Sequence, residues 1–258
     1  MNYLLEARAV EFRYQNGPPV IQGVSVAVPR GKLCALIGSN GCGKSTLVRM
    51  FAGLLVPQIG EIYLAGARLS EIPRREAAKQ VGYVPQSSQL AFPFTALEVV
   101  LTGRSPYTSR FRFENQLDRG RALQALEAVH AAHLASRRVT ELSGGERQMV
   151  SVARALAQEP HCLLLDEPSA ALDLKHRATL VRTLAAMRDS QNLTALVVTH
   201  DLHLIDPVFD YIFALRGGEL VAEGKPADVL TDSVLADVYD DPFVRTRRIE
   251  GRTMIWSN

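Results

Sequence analysis

The sequence predicts an α/β fold: a mixed, mainly parallel sheet with helices on both faces, interrupted by an all-helical insert. Three observations predict it. Short apolar runs alternate with segments of helical periodicity, the pattern of strand–helix–strand units. A glycine-rich junction joins one apolar run directly to a helix. From about Ser87 to Ala157 no clear strand appears, and helical patterns take over.

Taken in order, EARAVEFRY, VSVAV and KLCALIG read as strands, separated by the turn-forming NGPP and PRGK. From Lys44, KSTLVRMFAGLL reads as a helix that ends before Pro57, since proline cannot continue it. GEIYLAG and VGYVPQ follow as short strands around a helical PRREAAKQ. Within the insert, TALEVVLTG, RALQALEAVHAAHL and GERQMVSVARALA carry helical spacing. HCLLLDEP, TALVVTH and YIFALRGG then read as buried strands, with the helical DLKHRATLVRTLAAM between the first two. Asp228–Asp241 is expected to be a surface helix, and the residues from Asp241 onward a loosely specified strand-rich tail.

Composition narrows the function classes. The 258 residues are 47% hydrophobic and 22% charged, ordinary for a globular protein and long enough for a large core. A formal net charge of +2 is too small to make nucleic acid a bulk partner. No run approaches the ~18 apolar residues of a membrane span. Glu6 and Arg8 interrupt the N-terminal stretch where a signal peptide would stay apolar, so a cytoplasmic setting is expected. Cys34, Cys42 and Cys162 make an odd count without metal-ligand spacing, which agrees with a reducing compartment.

The chemistry concentrates in three places. Gly38, Ser39, Asn40, Gly41, Cys42, Gly43, Lys44, Ser45 and Thr46 match the phosphate-loop pattern between strand and helix. Glycines let backbone N–H groups curl toward phosphates, and the helix N-terminus adds its positive dipole end. Lys44 would supply a charge to the β- and γ-phosphates, and the Ser45 hydroxyl a ligand to Mg²⁺. Cys42 is expected to be a tolerated small residue, with a thiol pKa lowered by Lys44 and open to thiol reagents. Second, His161–Pro168 is an apolar strand ending in Asp166 and Glu167; a buried strand delivers Asp166 to the Mg²⁺ position, and Glu167 can polarise an attacking water. Third, Leu142-Ser143-Gly144-Gly145-Glu146 opens a helix and reads either as a plain N-cap or as a second anion-binding helix end. Two such ends with one ligand between them suggest half-sites completed by dimerisation.

Gly38–Ser45, Gln86, Leu142–Glu146, Leu163–Glu167, Asp173 and His200 appear in the order and spacing of ABC ATPases, and the chain resembles that family from about Leu4 to Leu230. The resemblance implies a P-loop NTPase core over 1–86 and 158–258, with an N-terminal antiparallel β portion and a helical signature subdomain at 87–157. It implies that Tyr14 stacks on adenine, although this residue reads equally as a core or surface tyrosine. It implies that Gln86 contacts Mg²⁺ and the attacking water, that Asp173 communicates across a dimer, and that His200 holds the γ-phosphate. Ser143, Gly144, Gly145 and Glu146 would bind ATP held by the other subunit. The cofactor implied is Mg²⁺ with ATP; the implied partners are a second copy, two transmembrane permease subunits and, indirectly, a substrate-binding protein.

The compact link between Lys44 and Ser143 separates this chain from chromosome-maintenance ABC ATPases, where long coiled coils intervene. A single cassette separates it from translation factors, which carry two. That leaves a peripheral subunit on the cytoplasmic face of the inner membrane, docked on a separate permease, with the insert after Gln86 receiving a coupling helix. Residues 89–107, QLAFPFTALEVVLTGRSPY, resemble the corresponding segment of iron–siderophore, haem and cobalamin importers, with Tyr107 where many have His. Haem or a ferric siderophore is the cargo expected, with cobalamin and molybdate-type chelates as alternatives.

Overall fold

The computed structural model describes residues 2–86, 93–107, 115–170, 172–202, 205, 208–250 and 252–257. Along the chain, β1 (Tyr3–Arg13) and β2 (Pro19–Pro29) pair antiparallel. Next come β3 (Leu33–Gly38) and α1 (Lys44–Phe51), then β4 (Ile59–Leu64) and β5 (Ala67–Arg68). A small antiparallel sheet forms in the order β2-β1-β4-β5. Helix α2 (Arg74–Gln80) leads into β6 (Val81–Val84). The insert supplies α3 (Ala96–Leu101), α4 (Gln116–Ala128) and α5 (Gly144–Leu156). The chain then alternates through β7 (Cys162–Asp166), α6 (Leu174–Gln191), β8 (Thr194–Val198), β9 (Tyr211–Arg216) and β10 (Glu219–Gly224).

The main sheet has the order β10-β9-β3-β8-β7-β6, parallel throughout except where β10 folds back on β9. Every residue of β3, β7 and β8 is buried, as strands covered on both faces require. Because side chains alternate, one sheet divides two cores. Leu33, Ala35, Ile37, Leu163, Leu165, Ala195 and Val197 face the insert and α6. Cys34, Leu36, Cys162, Leu164, Leu196 and Val198 face α1 and the antiparallel sheet. Among the described residues the insert carries helices and 3-10 turns, with one isolated bridge at Thr95–Arg138.

The insert is fastened by the segment read as a cargo marker. A Cβ on Gly103 would lie 2.1 Å from the Arg154 carbonyl oxygen, so the 3-10 turn Thr102–Arg104 after α3 can approach α5 only over glycine. The neighbouring Arg104 is 4% exposed. Its Nε donates to Asp118 Oδ1 at 3.0 Å, and its Nη1 donates to the Ala157 carbonyl at 2.7 Å and Glu159 Oε2 at 2.8 Å. Its guanidinium also stacks 4.0 Å from the Tyr107 ring centroid, and the Tyr107 hydroxyl donates to the Gln158 carbonyl at 2.8 Å. Residues 89–92 of that segment lie outside the described residues.

The C-terminal region is more ordered in pattern than the sequence implies. Instead of one surface helix, α7 (Pro226–Val229) and α8 (Asp232–Tyr239) form, and Leu235 and Val238 are buried in the core. A helix stop at Leu230 and the Thr231 side chain capping α8 split the stretch. β11 (Val244–Ile249) and β12 (Arg252–Ser257) then pair as an antiparallel hairpin. Among the described residues no helix is long and apolar enough to cross a membrane.

Candidate functional site

The phosphate loop leaves β3 at Gly38 and enters α1 at Gly43. Gly38 has φ +150°, and a Cβ there would lie 2.3 Å from the Leu215 carbonyl oxygen. Gly43 has φ +104°, and a Cβ would lie 2.7 Å from the Val20 carbonyl oxygen. At both positions a side chain would strike backbone, so glycine is a packing requirement as well as a conformational one. Lys44 is 5% exposed, and its Nζ donates to the Gly38 and Ser39 carbonyls at 2.9 and 2.8 Å. The ammonium therefore sits inside the curl of the loop, where a phosphate would meet it. Tyr14 packs edge-on against Phe12, and its hydroxyl lies 3.2 Å from Thr46 Oγ1. With 43% of its surface exposed, it offers a ring face beside the first turn of α1.

The thiol of Cys42 departs from expectation. It is 4% exposed, and burial raises its pKa, outweighing the opposing pull of Lys44. The lowered pKa expected from Lys44 is overturned: burial of the thiol outweighs the ammonium 4.0 Å away.

Across the loop, the Ser45 hydroxyl donates to Asp166 Oδ1 at 2.8 Å. Asp166 is fully buried, and its Oδ2 has no hydrogen-bond partner. Burial holds this carboxyl above the ordinary aspartate range. A buried carboxylate oxygen without a partner, beside a hydroxyl and a phosphate loop, fits Mg²⁺, which takes one or two carboxylates together with phosphate oxygens and water.

Glu167 follows at the end of β7 with φ +49°, a left-handed conformation costing about 1–3 kcal/mol for a side chain of this type. Its carboxylate is gripped from both sides. Gln86 Nε2 donates to Oε2 at 2.7 Å, and His200 Nε2 lies 2.8 Å from Oε1. Sheet order explains the meeting: β6, β7 and β8 are adjacent and parallel, and Gln86, Glu167 and His200 follow their carboxyl ends. A cavity of about 350 Å³ adjoins them, lined by Glu167, Ser169, Ala170, Arg177, His200 and Asp201.

The signature segment lies apart from this cluster. Ser143 is the N-cap of α5: its Oγ accepts from the Glu146 N–H at 3.2 Å, while its own N–H donates to Glu146 Oε2 at 2.7 Å. The Ser143 N–H holds the Glu146 carboxyl below its usual range. Glu146, grouped above with the trans ATP contacts, therefore has a capping task, and its charge has the wrong sign for phosphate. The Gly144 and Gly145 N–H groups remain as donors at this helix end, while the Ser143 hydroxyl also faces the Glu146 carboxylate. Among the described residues no hydrogen bond or ion pair joins 143–146 to the phosphate loop. Asp173 caps α6, accepting from the His176 N–H at 2.8 Å. Ala171, in the same loop, lies outside the described residues.

Arg177 belongs to no motif in the sequence, and Arg104 reads only as part of the 89–107 segment. Arg177 sits in the first turn of α6, where a basic residue reads as solvated surface; only the approach of the segment after β8 reveals its partners.

The fold and the site together define a P-loop ATPase cassette whose Ser143 helix end makes no hydrogen bond or ion pair with its own phosphate loop among the described residues. A family model described as ABC transporter matches residues 21–170. The hemin import ATP-binding protein HmuV of Nocardia farcinica is 41% identical over 235 residues, covering 90% of this chain and 81% of its own. The ferric enterobactin transport ATP-binding protein FepC of Escherichia coli is 34% identical, over 88% and 86%. Among solved structures, an inward-facing ABC transporter assigned to the metal-chelate type superposes with TM-score 0.85 at 30% identity, covering 100% of this chain and 98% of that one. A dimeric ATP-binding cassette in a post-hydrolysis state with ADP and inorganic phosphate superposes with TM-score 0.77 at 29% identity, over 86% and 99%. The chain belongs to the ABC transporter family, as its ATP-binding cassette.

Proposed function

We propose that this chain is the ATP-hydrolysing subunit of a bacterial importer of an iron chelate, haem or a ferric siderophore. It works as a homodimer on a separate pair of permease subunits at the cytoplasmic face of the inner membrane, supplied by a substrate-binding protein. The observation that carries hydrolysis is the Glu167 carboxylate suspended between Gln86 and His200 at the mouth of the phosphate loop's sheet. The cargo class rests on the relatives named above, since the cassette does not itself touch the cargo.

In this reading the phosphate-loop N–H groups and Lys44 receive the phosphates, and Tyr14 stacks on the adenine. Mg²⁺ bound with the nucleotide would be held by Ser45, Asp166 and Gln86, and would supply neutralisation of the phosphate charge. Glu167 accepts a proton from the water whose oxygen bonds to the γ-phosphorus as the bond from that phosphorus to the bridging oxygen breaks and ADP leaves. His200 orients the carboxylate and donates to the oxygens of the transferred phosphoryl group. The Ser143 hydroxyl and the Gly144 and Gly145 N–H groups of a second copy close over the same phosphate. ATP joins the two copies because these donors are satisfied only when the dimer closes, and hydrolysis removes the phosphate that held them.

Glu167→Gln preserves shape and loses the base. The expected outcome is unchanged ATP binding and a drop in turnover of about 10²–10⁴-fold, the span attributed to general base catalysis. Steady-state phosphate release alongside nucleotide binding measures both, and a fully active variant overturns the assignment. For cargo, the subunit with its permease should show ATPase activity stimulated by a haem- or siderophore-loaded binding protein, and not by an amino-acid or sugar binding protein.

A further inference from the structure

Arg177 makes two contacts that join different parts of the site. Its Nε donates to the Leu172 carbonyl at 2.8 Å, immediately before Asp173. Its Nη1 donates to Asp201 Oδ2 at 3.1 Å, immediately after His200. Asp201 is fixed in turn by its own N–H, which donates to Thr199 Oγ1 at 3.0 Å. His200 reaches Glu167 at 2.8 Å, and the Glu167 carbonyl accepts from the Ala170 N–H at 3.2 Å. The Leu172 N–H donates to the Ser169 carbonyl at 3.1 Å, so the contacts form a closed ring: Leu172, Arg177, Asp201, His200, Glu167, Ala170, Ser169 and Leu172 again. Both charged ends of the ring are partly shielded, with Arg177 side-chain exposure 35% and Asp201 23%.

We propose that Arg177 is a positioning residue that transmits the placement of the Asp173 loop to His200, so that the histidine is aimed only when that loop is seated. This rests on the reading of Glu167 and His200 as hydrolysis residues. A guanidinium suits the task because its planar fork can hold a backbone carbonyl and a carboxylate at once. A lysine ammonium is a compact point charge at the end of a flexible stem and does not fix both. The fork converts the position of the loop that carries Asp173 into the orientation of a side chain at the cavity shared by Arg177, His200 and Glu167. Misplacing a reacting group by about an ångström is enough to cost on the order of 10²-fold in rate.

The test uses the full chain with Arg177→Ala, Arg177→Lys, Asp201→Asn and the double variant Arg177→Ala/Asp201→Asn, with Glu167→Gln as reference. Steady-state kinetics and thermal melting are read on each. The clamp predicts that Arg177→Ala and Asp201→Asn each lower kcat by about ten- to a hundredfold with KM for ATP within about twofold. It predicts that the double variant loses no more than the worse single one, since the two residues act as one unit. Arg177→Lys should recover only a minor part of the lost kcat, and melting temperatures should move little. Additive losses, full rescue by lysine, or a fall in kcat matched by a fall in melting temperature would overturn it. Turnover surviving in Glu167→Gln would overturn the site assignment and the clamp with it. Turnover abolished there but unchanged in the Arg177 and Asp201 variants overturns the clamp alone.

Discussion

Asp166, in the proposed Mg²⁺ site, is held at a cost to the stability of the fold. Its fully buried carboxylate receives one hydrogen bond from Ser45 and leaves Oδ2 without a partner. Burial raises its folded pKa above the ordinary value of 3.8. The sign follows from linkage: the acid form favours the folded state, so the stability tied to it is complete below about pH 3.8 and is lost as pH rises through the raised folded pKa. At neutral pH the ionised group therefore opposes folding. Asp166→Asn keeps the shape and removes the charge, so it should raise the melting temperature at pH 7–8, and that gain should disappear as pH falls below about 4. The same variant should lose Mg²⁺-dependent hydrolysis. Melting curves across pH, paired with turnover, check both; a lower melting temperature at pH 7 would contradict the account.

At the scale of elements, the insert depends on one buried arginine. Arg104 and Asp118 have side chains 4% and 8% exposed, and Arg104 also reaches the carbonyl that ends α5. Removing one member of a buried pair leaves the other's charge uncompensated. Arg104→Ala should therefore cost about 3–5 kcal/mol, read as a shift of the denaturant midpoint. The residue was legible in the sequence as part of a family-like segment; its role was not, because its partners stand 14, 53 and 55 residues away. The capping boxes are the opposite case. Thr95 with Glu98 and Ser143 with Glu146 are complete within four residues, so local sequence alone specifies them.

For the whole molecule, the separation of Ser143 from Lys44 is what makes a second copy necessary in the proposed cycle. Glu167→Gln should accumulate as a dimer in ATP and stay monomeric without nucleotide, and adding Ser143→Ala should weaken that dimer. Light scattering coupled to gel filtration, with and without ATP, reads the result directly. The expected shift with Ser143→Ala is on the order of tenfold in dimer affinity, the value of one hydrogen bond to a charged phosphate. Loss of the N-cap alone would instead appear as about 1 kcal/mol of stability.

The sequence by itself determined three local features: the glycine-rich loop after an apolar strand, the acidic pair closing a buried strand, and the Ser143 cap that opens α5. These follow from φ requirements, hydrophobic periodicity and capping geometry, each complete within a few residues. Only the tertiary structure decided which local pieces meet. Nothing in the pattern of apolar runs states that β7 lies between β6 and β8, because buried strands look alike whatever their neighbours. Yet that order puts Gln86 and His200 on the two oxygens of Glu167, across 81 and 33 residues of chain. It also puts Arg177 within reach of Asp201, where its sequence position reads as ordinary surface. Hydrogen bonds act over about 3 Å in space without regard to distance along the chain.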